Sequence, residues 1–252
     1  MSDAPARLVT LHVSPWSERA RWALDHHRIA YEKIQHAPFI GERRLRKLVG
    51  PGKKRATVPV LLVGGEVVSE SWDIAVYADR VGKGEALIPA GREAEVREWN
   101  DLADRTMAAG RPLVIRSMLA SPGALDEALP RSVPGWMRVV LRPVGRHGMR
   151  WFARKYGHDL EDLETPMAAM RTALTALRQG LSKSSPYLLG SFSYADIVMA
   201  SCLQGVLPVA DKYIRLGPAT RKAWTQDALV AELSDLLAWR DQLYELRRKP
   251  AR

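Results

Sequence analysis

Residues 58–74 constrain the fold of this chain more than any other stretch. The apolar, β-branched runs on either side of Gly64-Gly65 predict the two strands of a β-hairpin, because paired glycines favour the tight turn between such runs. Pro59 has no N–H to donate to a sheet, so we expect it at the first residue of its strand. The peptide bond before a proline at such a position can be cis. A helix is predicted next, from Trp72 to about residue 80.

The start of that helix carries polar groups suited to a peptide ligand. If Pro59 leaves the backbone of Val58 unpaired, an extended peptide would pair with Val58 by strand addition. The peptide's carboxylate would bind the helix-start amides and the Ser71 hydroxyl, and Glu70 would take its ammonium group. The alternative is that Ser69 or Ser71 only caps the helix, which explains neither Glu70 nor the proline.

Composition and charge limit the function classes. The chain has 252 residues with 46% hydrophobic and 26% charged content, as in ordinary soluble proteins, and no signal peptide or membrane span is evident, so we expect a cytoplasmic protein. The single cysteine, Cys202, excludes an internal disulfide framework, and the scattered histidines predict no bound metal. The net charge of +10 is concentrated in segments that match no nucleic-acid-binding motif, so no nucleic acid is expected as a partner.

Periodicity predicts two domains. A β-α-β start, a short helix and the hairpin unit make a small domain over residues 1–82, followed by a linker at 83–92 and an all-helical domain over 93–252. Long helices are predicted at residues 92–119, 166–181, 194–209 and 228–246. Residues 192–197 form a capping box in which Ser193 begins a helix and Asp196 has a structural role.

The order of these elements resembles the glutathione-binding half of the soluble glutathione transferases. The shared features are a strand, a serine-bearing turn, a helix, a Val-Pro strand, a hairpin and a Glu-Ser helix, and the capping box at 192–197 resembles a second motif of that family. The resemblance implies an α/β thioredoxin-like N-terminal domain, an all-α C-terminal domain and a homodimer. It also implies glutathione as co-substrate, bound by Val58, Pro59, Glu70 and Ser71.

The turn at residues 13–21 would supply the chemistry. From the residues alone, Ser14-Pro15 is typical of a helix N-cap followed by proline. In serine-type relatives, with features of the tau, zeta and theta classes, a hydroxyl here donates to the glutathione sulfur, and we rank Ser14 ahead of Ser17 as that donor. Lowering a thiol pKa of about 8.5 by two units requires roughly 2.7 kcal/mol, which a charge-assisted hydrogen bond and a helix N-terminus together supply.

Two basic segments are harder to assign. A cation among Lys53, Lys54 and Arg55 is expected to meet the glycine carboxylate of glutathione, although the spacing before Val58 is longer than in the family. An insertion near residues 121–160 carries an arginine at every fourth position, and its prolines and glycines predict two short helices. This insertion would pack over the helical domain, form a lid on the electrophile pocket, or contact a membrane surface through residues 131–156.

These features predict a glutathione S-transferase that adds the glutathione thiolate to a small hydrophobic electrophile in detoxification. The acceptor pocket would include Trp16, Met118 and the insertion. Two alternatives use the same fold: a glutathione-dependent isomerase or dehalogenase, and a non-catalytic carrier or scaffold for glutathione or hydrophobic ligands. The cysteine-type position of the family holds no cysteine, which argues against thiol-disulfide exchange.

Overall fold

The computed structural model describes residues 5–38, 40–50, 56–129 and 133–250. The chain divides into two compact units. The first unit comprises Met1–Asn100, Ser184–Ser201 and Leu243–Arg252, and the second comprises Asp101–Lys183 and Cys202–Gln242. The predicted domain bounds at residues 82 and 93 stay a prediction.

The first unit contains a four-stranded mixed sheet. Its strands are β1 (Ala6–Thr10), β2 (Tyr31–Gln35), β3 (Val60–Val63) and β4 (Glu66–Ser69), in the order β2-β1-β3-β4. β2 pairs parallel with β1, whereas β3 pairs antiparallel with both β1 and β4. Three helices accompany the sheet: α1 (Pro15–His26), α2 (Glu42–Val49) and α3 (Ser71–Val81). This arrangement confirms the predicted thioredoxin-like architecture.

The hairpin forms where the sequence predicts it. Gly64 and Gly65 both have positive φ, of 57° and 85°, the conformation that a tight hairpin turn requires and that glycine adopts without steric cost. The peptide bond between Val58 and Pro59 is cis, and β3 begins only at Val60. Val58 therefore lies outside the ladder between β1 and β3, which starts with the pair Val9 and Val60.

Helices account for every regular element in the described parts of residues 93–250, which confirms the predicted all-α region. They are α4 (Glu93–Ala120), α5 (Pro122–Glu127), α6 (Gly135–Tyr156), α7 (Glu164–Ser184), α8 (Tyr194–Cys202), α9 (Pro218–Trp224), α10 (Asp227–Glu232) and α11 (Ser234–Arg247), with a 3-10 turn at Leu203–Gly205. The sequence does not predict the short helices α5 and α9, because six or seven residues are too few to show a 3.6-residue period.

The prediction of two short helices in the basic insertion is wrong. α6 runs unbroken from Gly135 to Tyr156 with Pro143 inside it. Proline removes one helical hydrogen bond, the one to the carbonyl of Val139. Val139 is 53% exposed, so the lost hydrogen bond lies on the solvent side of the helix, and α6 continues past Pro143.

Two other predicted helices are shorter than expected. The helix predicted for residues 194–209 leaves α-geometry at Cys202 and tightens into the 3-10 turn, and the one predicted for residues 228–246 is divided at Leu233. Leu233 has φ of −117° and ψ of 25°, outside the α-helical region, so α10 and α11 are separate elements.

The capping box at the start of α8 is built around a buried carboxylate. Asp196 accepts hydrogen bonds from the Ser193 N–H and hydroxyl at 2.8 and 3.0 Å and from the Leu188 N–H at 2.8 Å. Burial raises the pKa of Asp196 to about 6, although these donors favour the carboxylate. The folded state therefore takes up a proton here at a pH where the unfolded chain does not.

This shift predicts a pH-dependent stability. A pKa raised on folding adds stability that is complete below about pH 4 and is lost as the pH rises through about 6. We therefore compare the wild type with Asp196→Asn between pH 4 and pH 7. The free energy of unfolding of the wild type, relative to that of the variant, should fall over this range by roughly 3 kcal/mol at most, and the difference between the two melting temperatures should fall with it. Asp73→Asn, an exposed acid in the first turn of α3, is the matched control. A difference that is constant with pH for Asp196→Asn would contradict the assignment.

Candidate active site

Ser14 lies in the turn between β1 and α1. It is the N-cap of α1, with φ of −74° and ψ of 126°, and its hydroxyl oxygen accepts a hydrogen bond from the Ser17 N–H at a long 3.4 Å. The side chain is half-buried, and within the described part of the chain its hydroxyl hydrogen has no acceptor. Ser14 can therefore donate a hydrogen bond to a ligand while it caps the helix.

Ser17 occupies a different environment one turn later. Its side chain is fully buried, and its hydroxyl oxygen accepts a hydrogen bond from the Leu11 N–H at 3.1 Å. This bond joins the first turn of α1 to the segment that follows β1. Ser17 thus holds the turn in place from inside the protein.

A buried ion cluster lies behind the same turn. Glu18 is fully buried and binds Arg21 at 2.8 Å and Arg248 at 2.7 Å. Arg21 also donates to the Thr10 hydroxyl at 2.9 Å and to the His12 carbonyl at 3.0 Å, which fixes the backbone on the strand side of the turn. Burial alone would raise the pKa of Glu18, but the two guanidinium groups outweigh it and hold that pKa below its ordinary value.

The cluster extends through Arg248 to the second acid of α1. Arg248 binds Asp25 at 2.5 Å, and the Tyr31 hydroxyl donates to Asp25 at 3.2 Å. Burial, together with the Asp25 carboxylate, raises the pKa of Tyr31, which keeps the phenol neutral. Sequence reasoning missed this cluster because Arg248 belongs to a run of basic residues that is typical of a solvated tail, and no local pattern indicates that it is buried.

The second part of the site is the start of α3. Glu70 is the residue before the helix and has a φ of 77°, which is unusual for a residue other than glycine and is typical of functional positions. The Thr57 hydroxyl donates to the Glu70 carboxylate at 3.3 Å. Ser71 is the first helical residue and only 3% exposed, and no described residue hydrogen-bonds to its hydroxyl.

Sheet register brings these two parts to one edge. Val9 of β1 pairs with Val60 of β3, and Val60 pairs with Ser69 of β4. Because β3 is antiparallel to both neighbours, the carboxyl ends of β1 and β4 meet the amino end of β3 at the same edge. The Ser14 turn follows the end of β1, Val58 lies two residues before the start of β3, and α3 begins directly after β4.

The remaining predicted site residues lie in different parts of the chain. Lys53 and Arg55 lie outside the described residues. Trp16 is the second residue of α1, partly exposed, with the Arg19 guanidinium 5.9 Å from its ring centroid. Met118 is 5% exposed and packs in the second unit with Ala124 and Ala223, so its surface faces protein atoms.

Cys202 is buried, and its thiol donates to the Ala103 carbonyl at 3.3 Å, which is the setting of a core residue. No group of three or more histidine, cysteine, aspartate or glutamate side chains in the described part of the chain is arranged to hold a metal ion. In the same part of the chain, no helix has the length and apolar character needed to cross a membrane.

Comparisons with known proteins identify the fold. Residues 13–81 match the family model of the glutathione S-transferase N-terminal domain. The chain also superimposes on a glutathione transferase, GSTFuA2, of Phanerochaete chrysosporium, with a TM-score of 0.68 and 18% identity over 99% of this chain and 100% of that one. The chain has the glutathione transferase fold.

Two further structures share the glutathione transferase fold at similar identity. A glutathione S-transferase of Ceriporiopsis subvermispora, solved in complex with glutathione, aligns with a TM-score of 0.62 and 18% identity over 97% of this chain and 95% of that one. The β-etherase LigF of Sphingobium sp. aligns with a TM-score of 0.59 and 19% identity over 96% of this chain and 100% of that one. No curated protein sequence matches the chain significantly. The matched N-terminal domain contains Ser14, the hairpin, Glu70 and Ser71.

Proposed function

We propose that this protein is a serine-type glutathione transferase that activates the thiol of glutathione for attack on a small hydrophobic electrophile. The observation that supports the proposal is the sheet register, because the strand ends next to Ser14, Val58 and the start of α3 lie at one edge of the sheet. A cytoplasmic homodimer that acts in detoxification is part of the same proposal.

In the proposed complex, each end of the tripeptide meets a complementary group. The carboxylate of the γ-glutamyl residue would bind the amides at the start of α3 and the Ser71 hydroxyl, and Glu70 would bind its ammonium group. Val58, outside the ladder, would exchange backbone hydrogen bonds with the central peptide. Lys53, Lys54 or Arg55 would meet the glycine carboxylate at the other end.

Bound in this way, the cysteinyl sulfur of glutathione would lie near Ser14. A hydrogen bond from the hydroxyl to the sulfur favours thiolate over thiol, so the thiol proton leaves to solvent while the serine keeps its own. The thiolate then forms a carbon–sulfur bond, and the electron pair it displaces leaves with a departing group or moves onto the acceptor, which is then protonated by solvent. The half-buried Ser14 is suited to this role, whereas the Ser17 hydroxyl is enclosed and bound to Leu11.

A titration of glutathione on the protein tests the proposal. The ultraviolet absorbance of the thiolate would be recorded against pH for glutathione alone and for glutathione with the protein. We expect the bound thiol to ionise about two units below its ordinary pKa of about 8.5. Binding with no shift would indicate a carrier, and no binding would refute a glutathione site. In a screen of electrophiles, glutathione retained in the product marks a transferase, and glutathione returned unchanged marks an isomerase.

Replacing Glu70 with glutamine should weaken glutathione binding. The substitution keeps the shape of the side chain but removes the negative charge opposite the ammonium group, and we expect the Kd for glutathione to rise about tenfold. The pKa of the bound thiol should stay the same, because Glu70 would bind the γ-glutamyl residue and not the central cysteinyl residue. Calorimetry on Glu70→Gln and on Glu66→Gln, an exposed glutamate of β4 with the same change of charge, measures the effect. Equal affinities in the two variants would exclude Glu70 from the site.

A further inference from the structure

α6 carries an apolar surface that the proposed active site does not use. Trp136 is 74% exposed, Val140 69%, Val144 57% and Val139 53%, so four of the nine large hydrophobic side chains that are exposed among the described residues lie on this one helix. All four belong to the first half of α6, on positions three or four apart. They form one continuous apolar patch on the outer side of the helix.

Along α6, the arginines move from the side that contacts α5, which we call the inner side, to the solvent-exposed outer side. They are spaced four residues apart, and each step rotates the side chain about 40° further around the axis. Arg138 and Arg142 are accordingly half-buried, whereas Arg150 and Arg154 are exposed. Arg154 is five helical turns beyond Trp136 and shares its face. We call the exposed set Trp136, Val139, Val140, Val144, Arg150 and Arg154 the outer face of α6.

The inner arginines hold α6 in place. Arg142 binds the Asp126 carboxylate of α5 with two hydrogen bonds, at 2.8 and 2.6 Å, and Arg138 donates to the Asp126 and Val133 carbonyls. Arg150 and Arg154, in contrast, hydrogen-bond to no residue that the structure describes. The outer face is therefore fixed in orientation while its own cations are available to a partner.

The charge of the segment indicates the chemistry of that partner. Residues 133–156 contain six lysines and arginines and neither aspartate nor glutamate. The partner must offer negative charge beside an apolar phase, because one half of the outer face is apolar and the other half is cationic. A nucleic acid would leave the valines without an apolar partner. A second copy packed α6 against α6 would bring arginine against arginine in a parallel pair and arginine against apolar side chains in an antiparallel pair, and neither arrangement neutralises the cations.

We propose that the outer face of α6 binds the surface of a membrane containing anionic lipids. The helix, about 33 Å long, would lie in the interfacial plane, with Trp136 and the three valines in the boundary between headgroups and acyl chains. Arg150 and Arg154 would reach the lipid phosphates. The contact is peripheral, since α6 is not apolar enough to span a bilayer.

Vesicle flotation of the full-length protein tests this proposal. The probe is a set of vesicles of phosphatidylcholine alone and of phosphatidylcholine with phosphatidylglycerol, at two salt concentrations. We expect the wild type to float with the anionic vesicles and not with the neutral ones. Trp136→Gln with Val140→Gln, which leaves net charge unchanged, should lower the partition coefficient at least tenfold, and Arg150→Gln with Arg154→Gln should lower it to a similar extent.

Matched variants separate the outer face from the general basicity of the chain. Val81→Gln with Leu246→Gln removes two other exposed apolar side chains, and Arg43→Gln with Arg44→Gln removes two exposed cations of α2. Both should bind vesicles like the wild type. Failure of the wild type to float, or equal flotation of the Trp136 and Val140 variant, overturns the proposal. A change of that variant's mass in light scattering, without vesicle binding by the wild type, would assign the face to a second copy instead.

Discussion

Replacing Ser14 with alanine should raise the pKa of protein-bound glutathione back towards its value in water and lower kcat/KM for conjugation by about tenfold to a hundredfold. The physical reason is the loss of one hydrogen bond to an anionic sulfur, which contributes roughly 1.5 to 3 kcal/mol. Ultraviolet titration of the bound thiol and steady-state kinetics measure the two effects separately. The Kd for glutathione should change far less, because both ends of the tripeptide keep their partners.

The chain contains a matched control for the capping role of Ser14. Ser121 is also an N-cap serine followed by proline, and its hydroxyl accepts a hydrogen bond from the Ala124 N–H at 3.2 Å. Ser14→Ala and Ser121→Ala should therefore lose a similar amount of helix stability, about 1 kcal/mol. Only Ser14→Ala should change the thiol pKa. Ser14→Thr, which retains a hydroxyl, should restore part of the shift. An unchanged thiol pKa in a folded Ser14→Ala protein would exclude Ser14 as the donor.

Replacing Glu18 with glutamine should destabilise the protein by about 3 to 5 kcal/mol. The substitution leaves two buried guanidinium groups, Arg21 and Arg248, without their shared carboxylate, and an uncompensated buried charge is costly. For a chain of this length, a loss of this size corresponds to a melting temperature lower by about 10 °C. Differential scanning calorimetry at neutral pH is the measurement.

The pH dependence identifies the cause of this loss. The pKa of Glu18 is lowered in the folded state, so its contribution is complete above the unfolded value and is lost as the pH falls. The difference between the wild type and Glu18→Gln should accordingly shrink below about pH 4. Glu232→Gln is the control, because its ion pair with Arg171 is 44% and 42% exposed and such pairs contribute at most about 1 kcal/mol. Similar losses in the two variants would show that the Glu18 cluster contributes no more than a surface pair.

The thioredoxin-like part of the fold is readable from the sequence because its signals are local. Gly64 and Gly65 fix a turn that few other residues adopt, Pro59 stands immediately before the strand that begins at Val60, and the periods of two and 3.6 separate strands from helices. The same local chemistry singles out Ser14 and Glu70, since both stand where a strand gives way to a helix. Such patterns involve neighbours within a few residues, so they need no knowledge of the packing.

Only the tertiary structure determines the features that depend on contacts between residues far apart in the sequence. The sequence ranks Ser14 ahead of Ser17 as the proposed donor, and only the structure shows that the Ser17 hydroxyl is buried and hydrogen-bonded to the Leu11 N–H. Arg248 has the sequence context of a solvated tail, yet it is buried against Glu18, 230 positions earlier. In α6, the arginine spacing is visible in the sequence. The exposure of Trp136 and Val140 is not, because it depends on which face of the helix the ion pair with Asp126 holds against α5. Burial and charge pairing at long range follow from how helices pack, and one-dimensional periodicity carries no record of them.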